Sequence, residues 1–172
     1  MKVLIISDNH GVTDVLQKVA DQHRDVDVMI HCGDSELPYH SDELAGFLKV
    51  RGNCDHDSAF PEEVIHDADD TKIFITHGHR YHVKYSLMTL SYRAKEVGAN
   101  IVCFGHSHIA GTEIIDGILF INPGSISLPR NRPNKTYAIC TVQQSHPKQV
   151  TVQFFDADGN ELEQMSLSGE IG

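Results

Sequence analysis

The chain has 172 residues, 40% of them hydrophobic and 22% charged, with 13 glycines and 6 prolines; this is an ordinary globular composition and excludes disordered, collagen-like and disulfide-scaffold classes. A formal charge of -10 argues against nonspecific nucleic-acid and anionic-membrane binders, which engage their partners through clustered Lys and Arg. No apolar run approaches the roughly 20 residues that span a bilayer, and Met1 to Ile6 reaches Asp8 too early for a signal peptide, so one cytoplasmic domain over residues 1–172 is expected.

Val3-Leu4-Ile5-Ile6 reads as a buried parallel strand ended by Ser-Asp-Asn-His-Gly. Thr13 is placed to cap a helix carrying Val15, Leu16, Val19 and Ala20 at helical spacing. Val26 to Cys32 makes a second strand ended by Gly33-Asp34, which completes a β-α-β unit. Phe47 to Val50 is a brief third strand running into Gly52-Asn53-Cys54-Asp55. Val64 to His66 and Ile73 to Thr76, joined through Asp67 to Asp70, predict a hairpin whose second arm ends at His77-Gly78-His79. Ser86 to Val97 has helical spacing with Gly98 as C-cap, and Ile101 to Phe104 is a strand ending at Gly105-His106-Ser107-His108. Beyond Thr112 the pattern is mostly β: a hairpin about Asp116-Gly117, then strands over Tyr137 to Val142 and Val150 to Phe155. The sum is a mixed α/β chain, parallel strands first, with two stacked sheets flanked by helices.

The anomaly is histidine, 12 of 172 residues, clustered with Asp, Asn and Gly at the predicted ends of five strands, where α/β sheets assemble their sites. If those ends converge, Asp8, His10, Asp34, Asn53, His77, His106 and His108 supply seven nitrogen and oxygen donors without thiolate. Such a set suits Mn, Fe, Co, Ni or Zn better than calcium. Seven exceed one tetrahedral ion's needs; with one bridging carboxylate they serve two ions about 3.5–4 Å apart, the arrangement of two-metal hydrolases. Glycines 33, 52, 78 and 105 beside these residues are expected to let backbone approach the ions. The centre stays positive within an acidic protein, so a phosphate oxyanion is the expected substrate group.

The ordered motifs Asp-x-His, Gly-Asp, Gly-Asn-x-Asp, His after a strand, and Gly-His-x-His, spanning Asp8 to His108, resemble the calcineurin-like metallophosphoesterase superfamily. They are most similar to its small, cap-less YfcE-like phosphodiesterases, and Asn122-Pro123-Gly124-Ser125 extends the likeness. The resemblance implies a four-layer α/β/β/α sandwich. It implies that Asp8, His10 and His108 hold one metal, Asn53, His77 and His106 the other, and Asp34 bridges both, with manganese first among the candidate ions. It also implies a phosphodiesterase in which a metal-bridging hydroxide attacks phosphorus, with Asp34, Asn53 and His10 in the catalytic group. Many members carry His after the Asn; this chain has Cys54. A thiol is a weak proton donor, so good leaving groups are favoured, and Asp55 loses the imidazole it would orient.

Other readings stand beside these. A phosphomonoesterase or nucleotidase would use the same metals, a scaffold like the retromer subunit of this fold would bind protein, and a single ion would be structural. The substrate is expected to be a small phosphodiester, with no membrane partner, no nucleic acid beyond small nucleotides, and homo-oligomers possible. Cys32, Cys103, Cys140 and Cys54 show no C-x-x-C pairing and read as free thiols. Cys54 reads as a site wall, His31 as a strand residue, and His79 as either a neighbour of the ligands or a loop residue. His23, His40, His66, His82 and His146 read as surface, Arg130 and Arg132 as solvated arginines that could guide an anion, and Asn122 to Ser125 on its own as turn chemistry.

Overall fold

A computed structural model describes the whole chain, Met1 to Gly172. Eleven strands form two sheets. The first has the order β11-β10-β9-β1-β2-β3, built from β1 (Lys2–Ile6), β2 (Val28–His31), β3 (Phe47–Lys49), β9 (Thr136–Gln143), β10 (Lys148–Asp156) and β11 (Leu167–Ile171). The second has the order β4-β5-β6-β8-β7, built from β4 (Glu63–Ala68), β5 (Thr71–Thr76), β6 (Ile101–Cys103), β7 (Gly111–Ile115) and β8 (Ile118–Asn122). Both are mixed: β1, β2 and β3 run parallel, as do β5, β6 and β8, while the remaining pairings are antiparallel.

Strand alternation builds the layers. Val3 and Ile5 of β1 point inward with Ile73 and Ile75 of β5, Ile101 and Cys103 of β6, and Cys140 of β9, forming the apolar layer between the sheets. The alternate residues Leu4 and Ile6 face outward and meet Leu16 and Val19 of helix α1 (Asp14–Gln22). On the other sheet Phe74 and Val102 face outward beneath Leu90 and Ala94 of helix α2 (Met88–Val97). The order helix, sheet, sheet, helix is the expected four-layer sandwich, and its carboxyl-end rim receives the loops after β1, β2, β3, β5 and β6.

The predicted elements all form, with three differences. Thr13 precedes α1 but makes no capping bond, because its own backbone is already helical (φ -96°, ψ -38°) and the side chain cannot turn back. Strand β11 has no counterpart in the sequence reading: only Leu167 and Ile171 are large and apolar, and its pairing with β10 is what orders it. His23 and His66, read as surface, are half-buried, the first with its Nε2 2.8 Å from the Tyr137 hydroxyl and the second on β4. The Asp116-Gly117 turn has both residues at positive φ, 50° and 78°, as its hairpin requires. All four cysteines are free.

Candidate metal centre

The backbone gathers the loops first. Those after β1 and β2 are zipped together: the Asp8 N–H donates to Gly33 O (3.0 Å), His10 N–H to Asp34 O (3.1 Å) and Gly11 N–H to Ser35 O (2.9 Å). The loop after β3 is fastened to them by Asp55, a buried carboxylate. It accepts from the N–H groups of Asp34 (2.9 Å), Glu36 (2.7 Å) and Gly52 (2.7 Å) and from the Ser35 hydroxyl (3.0 Å). From the other side Ser125 and Ser127 both donate to Asp8 O, at 2.7 and 3.0 Å, while Asn122 donates to Gly105 O and Ser107 Oγ, each at 2.9 Å. The segment read as turn chemistry is therefore the bracket that joins the loops after β1 and β6.

The turns are sharp. Asp8, His10, Asp34, His106 and His108 all lie in the left-handed region, with φ between 45° and 67°, a conformation that costs an L residue about 1–2 kcal/mol. Five strained residues on one rim mark a place where backbone ease yields to side-chain aim. Close approach also requires glycine: a Cβ on Gly52 would fall on the Asp34 carboxylate, and one on Gly105 on the Ser7 hydroxyl and the Asp8 carboxylate. At Gly78 the expectation fails, since the neighbour there is Val83 rather than a candidate ligand.

All seven predicted residues meet. Asp8, His10, Asp34 and His108 bring one ligand atom each within 4.8 Å of one another. Asn53 Oδ1 lies 3.2 Å from His77 Nε2, which lies 3.4 Å from Asp34 Oδ2 and 4.0 Å from Asp8 Oδ1. The His77 ring stands 5.1 Å from that of His106, centroid to centroid.

Hydrogen bonding fixes which atoms face inward. The His77 Nδ1–H donates to Cys32 O (2.7 Å), that of His108 to Leu128 O (2.7 Å), and that of His10 to Glu36 Oε1 (2.6 Å). Each acceptor oxygen has no proton to give, so in their neutral form all three imidazoles turn a bare Nε2 toward the centre. Two of these, on His10 and His108, are 3.2 Å apart, and lone pairs at that distance repel unless a cation or proton lies between them. Asp8 Oδ1 is buried and no donor reaches it with hydrogen-bond geometry, although His108 Nε2 is 3.1 Å away. Imidazole nitrogens gathered around a buried carboxylate oxygen that no donor reaches are the chemistry of a cation site. Burial pulls the His77 imidazole down, but contact with Asp34 and then Asp8 outweighs it and leaves the group above its usual range. Burial likewise opposes ionisation of Asp34, yet His77 and the Cys54 N–H hold its carboxyl well below the usual carboxylate range.

Residues 1–145 match the profile of the calcineurin-like phosphoesterase superfamily domain. The chain belongs to this superfamily. It is 49% identical over 166 residues to "Probable metallophosphoesterase YsnB" of Bacillus subtilis, covering 96% of each chain. It is 31% identical over 144 residues to "Phosphodiesterase MJ0936" of Methanocaldococcus jannaschii, covering 72% of this chain and 83% of the relative. A conserved uncharacterized protein of Streptococcus pneumoniae, titled a predicted phosphoesterase, superposes with a TM-score of 0.93 at 33% identity over 98% of this chain and 97% of its own.

As in other calcineurin-like phosphoesterases, divalent metals are the ions that this acceptor set fits. The remaining candidates take distinct places. Cys54 donates its N–H to Asp34 Oδ1 (2.7 Å), and its thiol, half-buried, receives Asn53 Nδ2 at 3.3 Å. Burial and then Asp34 push that thiol up to about 11. His79 lies against two candidate ligands, its ring 5.4 Å from His77 and 6.1 Å from His106, with a buried Nδ1 that has no partner. His31 is a buried strand residue as read, donating from Nε2 to Asn9 Oδ1 (2.9 Å) and accepting the Gly33 N–H on Nδ1 (3.2 Å). Sequence reasoning missed Glu36 and Ser127 and gave Asn9 and Ser125 no role beyond their place in a motif; each acts on a partner at least 19 residues away except through its own loop, and a single sequence carries no signal of such pairs.

Proposed function

We propose that the chain is a divalent-metal-dependent phosphodiesterase with a dinuclear centre, residues 1–172 acting as one catalytic domain in the cytoplasm. In this reading Asp8, His10 and His108 would hold one ion, Asn53, His77 and His106 the other, and Asp34 would serve both. The observation that carries it is the convergence of imidazole nitrogens and carboxylate oxygens on one rim, around a buried Asp8 Oδ1 that no donor reaches. Two such ions, manganese first and nickel, iron, cobalt or zinc as alternatives, would supply an activated water and positive charge for the phosphoryl group.

The chain's own residues do the rest. Asp34 is anchored through Oδ1 to the Cys54 N–H, which keeps Oδ2 aimed at the His77 side. The tied-off Nδ1 atoms of His10, His77 and His108 keep their rings from rotating, so little reorganisation accompanies substrate binding. Asn53, the exposed member of the set, stands where a substrate arrives. With a neutral thiol in place of an imidazole after Asn53, the departing oxygen leaves without a strong acid at that position, which favours aryl and other stable leaving groups. A relative named as a phosphodiesterase supports the diester over the monoester.

The test is hydrolysis of a bis-aryl phosphodiester by chelator-stripped protein repleted with each metal in turn, with an aryl monoester and Asp34→Ala alongside. Metal-restored diester turnover that exceeds monoester turnover and vanishes in the variant is expected. Faster monoester turnover would reassign the enzyme as a phosphomonoesterase. Silence with every ion, from protein shown to be folded, would sink the hydrolase.

A further inference from the structure

A cleft of about 540 Å³ opens next to the metal centre and includes none of its seven candidate ligands. Its volume lies in the range of pockets that hold drug-sized ligands. The walls are apolar, formed by Val83, Leu87, Phe104, Ile109 and Phe120. Ser107, another lining residue, sits between His106 and His108 in the chain, and Arg130 donates its N–H to His108 O at 3.0 Å. The cleft therefore begins where the centre ends.

Its charges are unusual for this acidic protein. Most cations are matched, as Lys2 is with Asp25, Arg24 with Asp21 and Lys95 with Asp116. Lys84 and Arg130 both line the cleft and neither has an acidic partner. Ser107 Oγ accepts from Asn122 Nδ2 (2.9 Å) and Ile109 N–H (3.2 Å), so its own proton is free to donate into the space. Thr112 and the single lining carboxylate, Glu113, add hydrogen-bonding groups on β7.

We propose that this cleft is a subsite for the second arm of the substrate, and that this arm is a nucleoside carrying its own phosphate. The natural substrates are then short linear nucleotides whose phosphodiester link lies at the metal centre; the inference rests on the phosphodiesterase reading above. A planar heteroaromatic base suits the apolar walls. Ring heteroatoms and exocyclic amino groups suit Ser107, Thr112 and Glu113, and a second phosphate matches the two unpaired cations. An uncharged aryl or alkyl arm would leave those cations without a counterpart. Two cations in a chain of net charge -10 suit a small nucleotide and not a long nucleic acid.

Binding can be read without any metal. Calorimetric titration of the chelator-treated protein with adenosine and guanosine 5′-monophosphate is expected to show sub-millimolar affinity. Arg130→Gln and Lys84→Gln should each weaken it about tenfold, the loss typical of one charged hydrogen bond. Gly111→Phe should abolish it by filling the cleft; a Cβ there meets nothing within 4 Å, so the fold should persist, as thermal melting will show. In the metal-loaded enzyme, the ratio of kcat/KM for a 5′-phosphorylated dinucleotide to that for methyl 4-nitrophenyl phosphate should fall about tenfold in the same variants. Turnover of the methyl aryl diester tests the phosphodiesterase reading alone, because its small arm does not need the cleft. If wild-type protein binds no nucleoside monophosphate, or if the three substitutions leave binding or the ratio unchanged, the subsite proposal is overturned.

Discussion

The two halves of the candidate centre are built differently. Around Asp8, His10 and His108 almost every group is tied: Asp8 is fully buried, its carbonyl receives two hydroxyls, and both imidazoles anchor their Nδ1–H on an oxygen at 2.6 or 2.7 Å. Around Asn53, His77 and His106 only His77 is anchored in this way. Asn53 is exposed, and the His106 ring touches other imidazoles, those of His77 and His79. One half is fixed before anything binds; the other can adjust to what arrives. Preorganisation in a site of this kind is therefore uneven, and it is strongest where the backbone strain is also concentrated.

That contrast can be broken by experiment. Asp8→Ala should lower diester turnover about a thousandfold, whereas Asn53→Ala should lower it only about tenfold. Equal losses, measured with saturating metal, would erase the distinction between the halves. Asp55→Ala should destabilise the fold by about 3 kcal/mol, because it strands three backbone donors, two of them buried, in the loops after β2 and β3. Urea unfolding checks this, and a loss within experimental error would mean that the loops hold without their clamp.

The foundations of the fixed half should respond to pH. Burial, opposed by the Asp55 and Asp8 charges, lowers His31 from its usual value to about 4. Below pH 6.5 the unfolded chain takes up a proton that the folded chain refuses. Its contribution to stability is thus fully present above pH 6.5 and is lost progressively as the pH falls toward 4, by about 3 kcal/mol in all. In the presence of chelator, urea midpoints at pH 7 and pH 5 should differ more for wild type than for His31→Gln; equal differences would refute the assignment. An effect as small as that of Asn53→Ala is expected from Ser125→Ala, which frees one bond to Asp8 O and should weaken metal affinity about tenfold. Equilibrium competition with a metal indicator measures it, and unchanged affinity would show that Ser127 suffices.

Much of this was legible in one sequence, for a definite reason. Short continuous apolar runs in β1, β2, β5 and β6 mark strands buried on both faces, and a polar residue straight after such a run must lie at its end. Hence Asp8, Asp34, His77, His106 and His108 could be placed on one rim before any coordinates. The supports could not. Ser125 reaches Asp8 across 117 positions and Asn122 reaches Gly105 across 17, and nothing in the local pattern distinguishes them from ordinary turn residues. Asp55 was legible as a neighbour of Cys54 but not as a clamp, because its four partners lie in loops whose closeness depends on the pairing of β2 with β3. Strand β11 escaped for the complementary reason: its two apolar residues are too few to declare a strand without the neighbour that orders them.

The candidate ligands come from both layers of the sandwich. Asp8, His10, Asp34 and Asn53 follow strands of one sheet; His77, His106 and His108 follow strands of the other. Elsewhere the two sheets meet chiefly through apolar side chains, which resist separation but tolerate small slides. Ions gripped at the rim would work as a rivet through two plates. The spacing between the ions would then be set by how the plates lie against each other, so that a methyl group lost at Val150, at the end of the sheet away from the rim, would alter the reaction by shifting one plate past its neighbour.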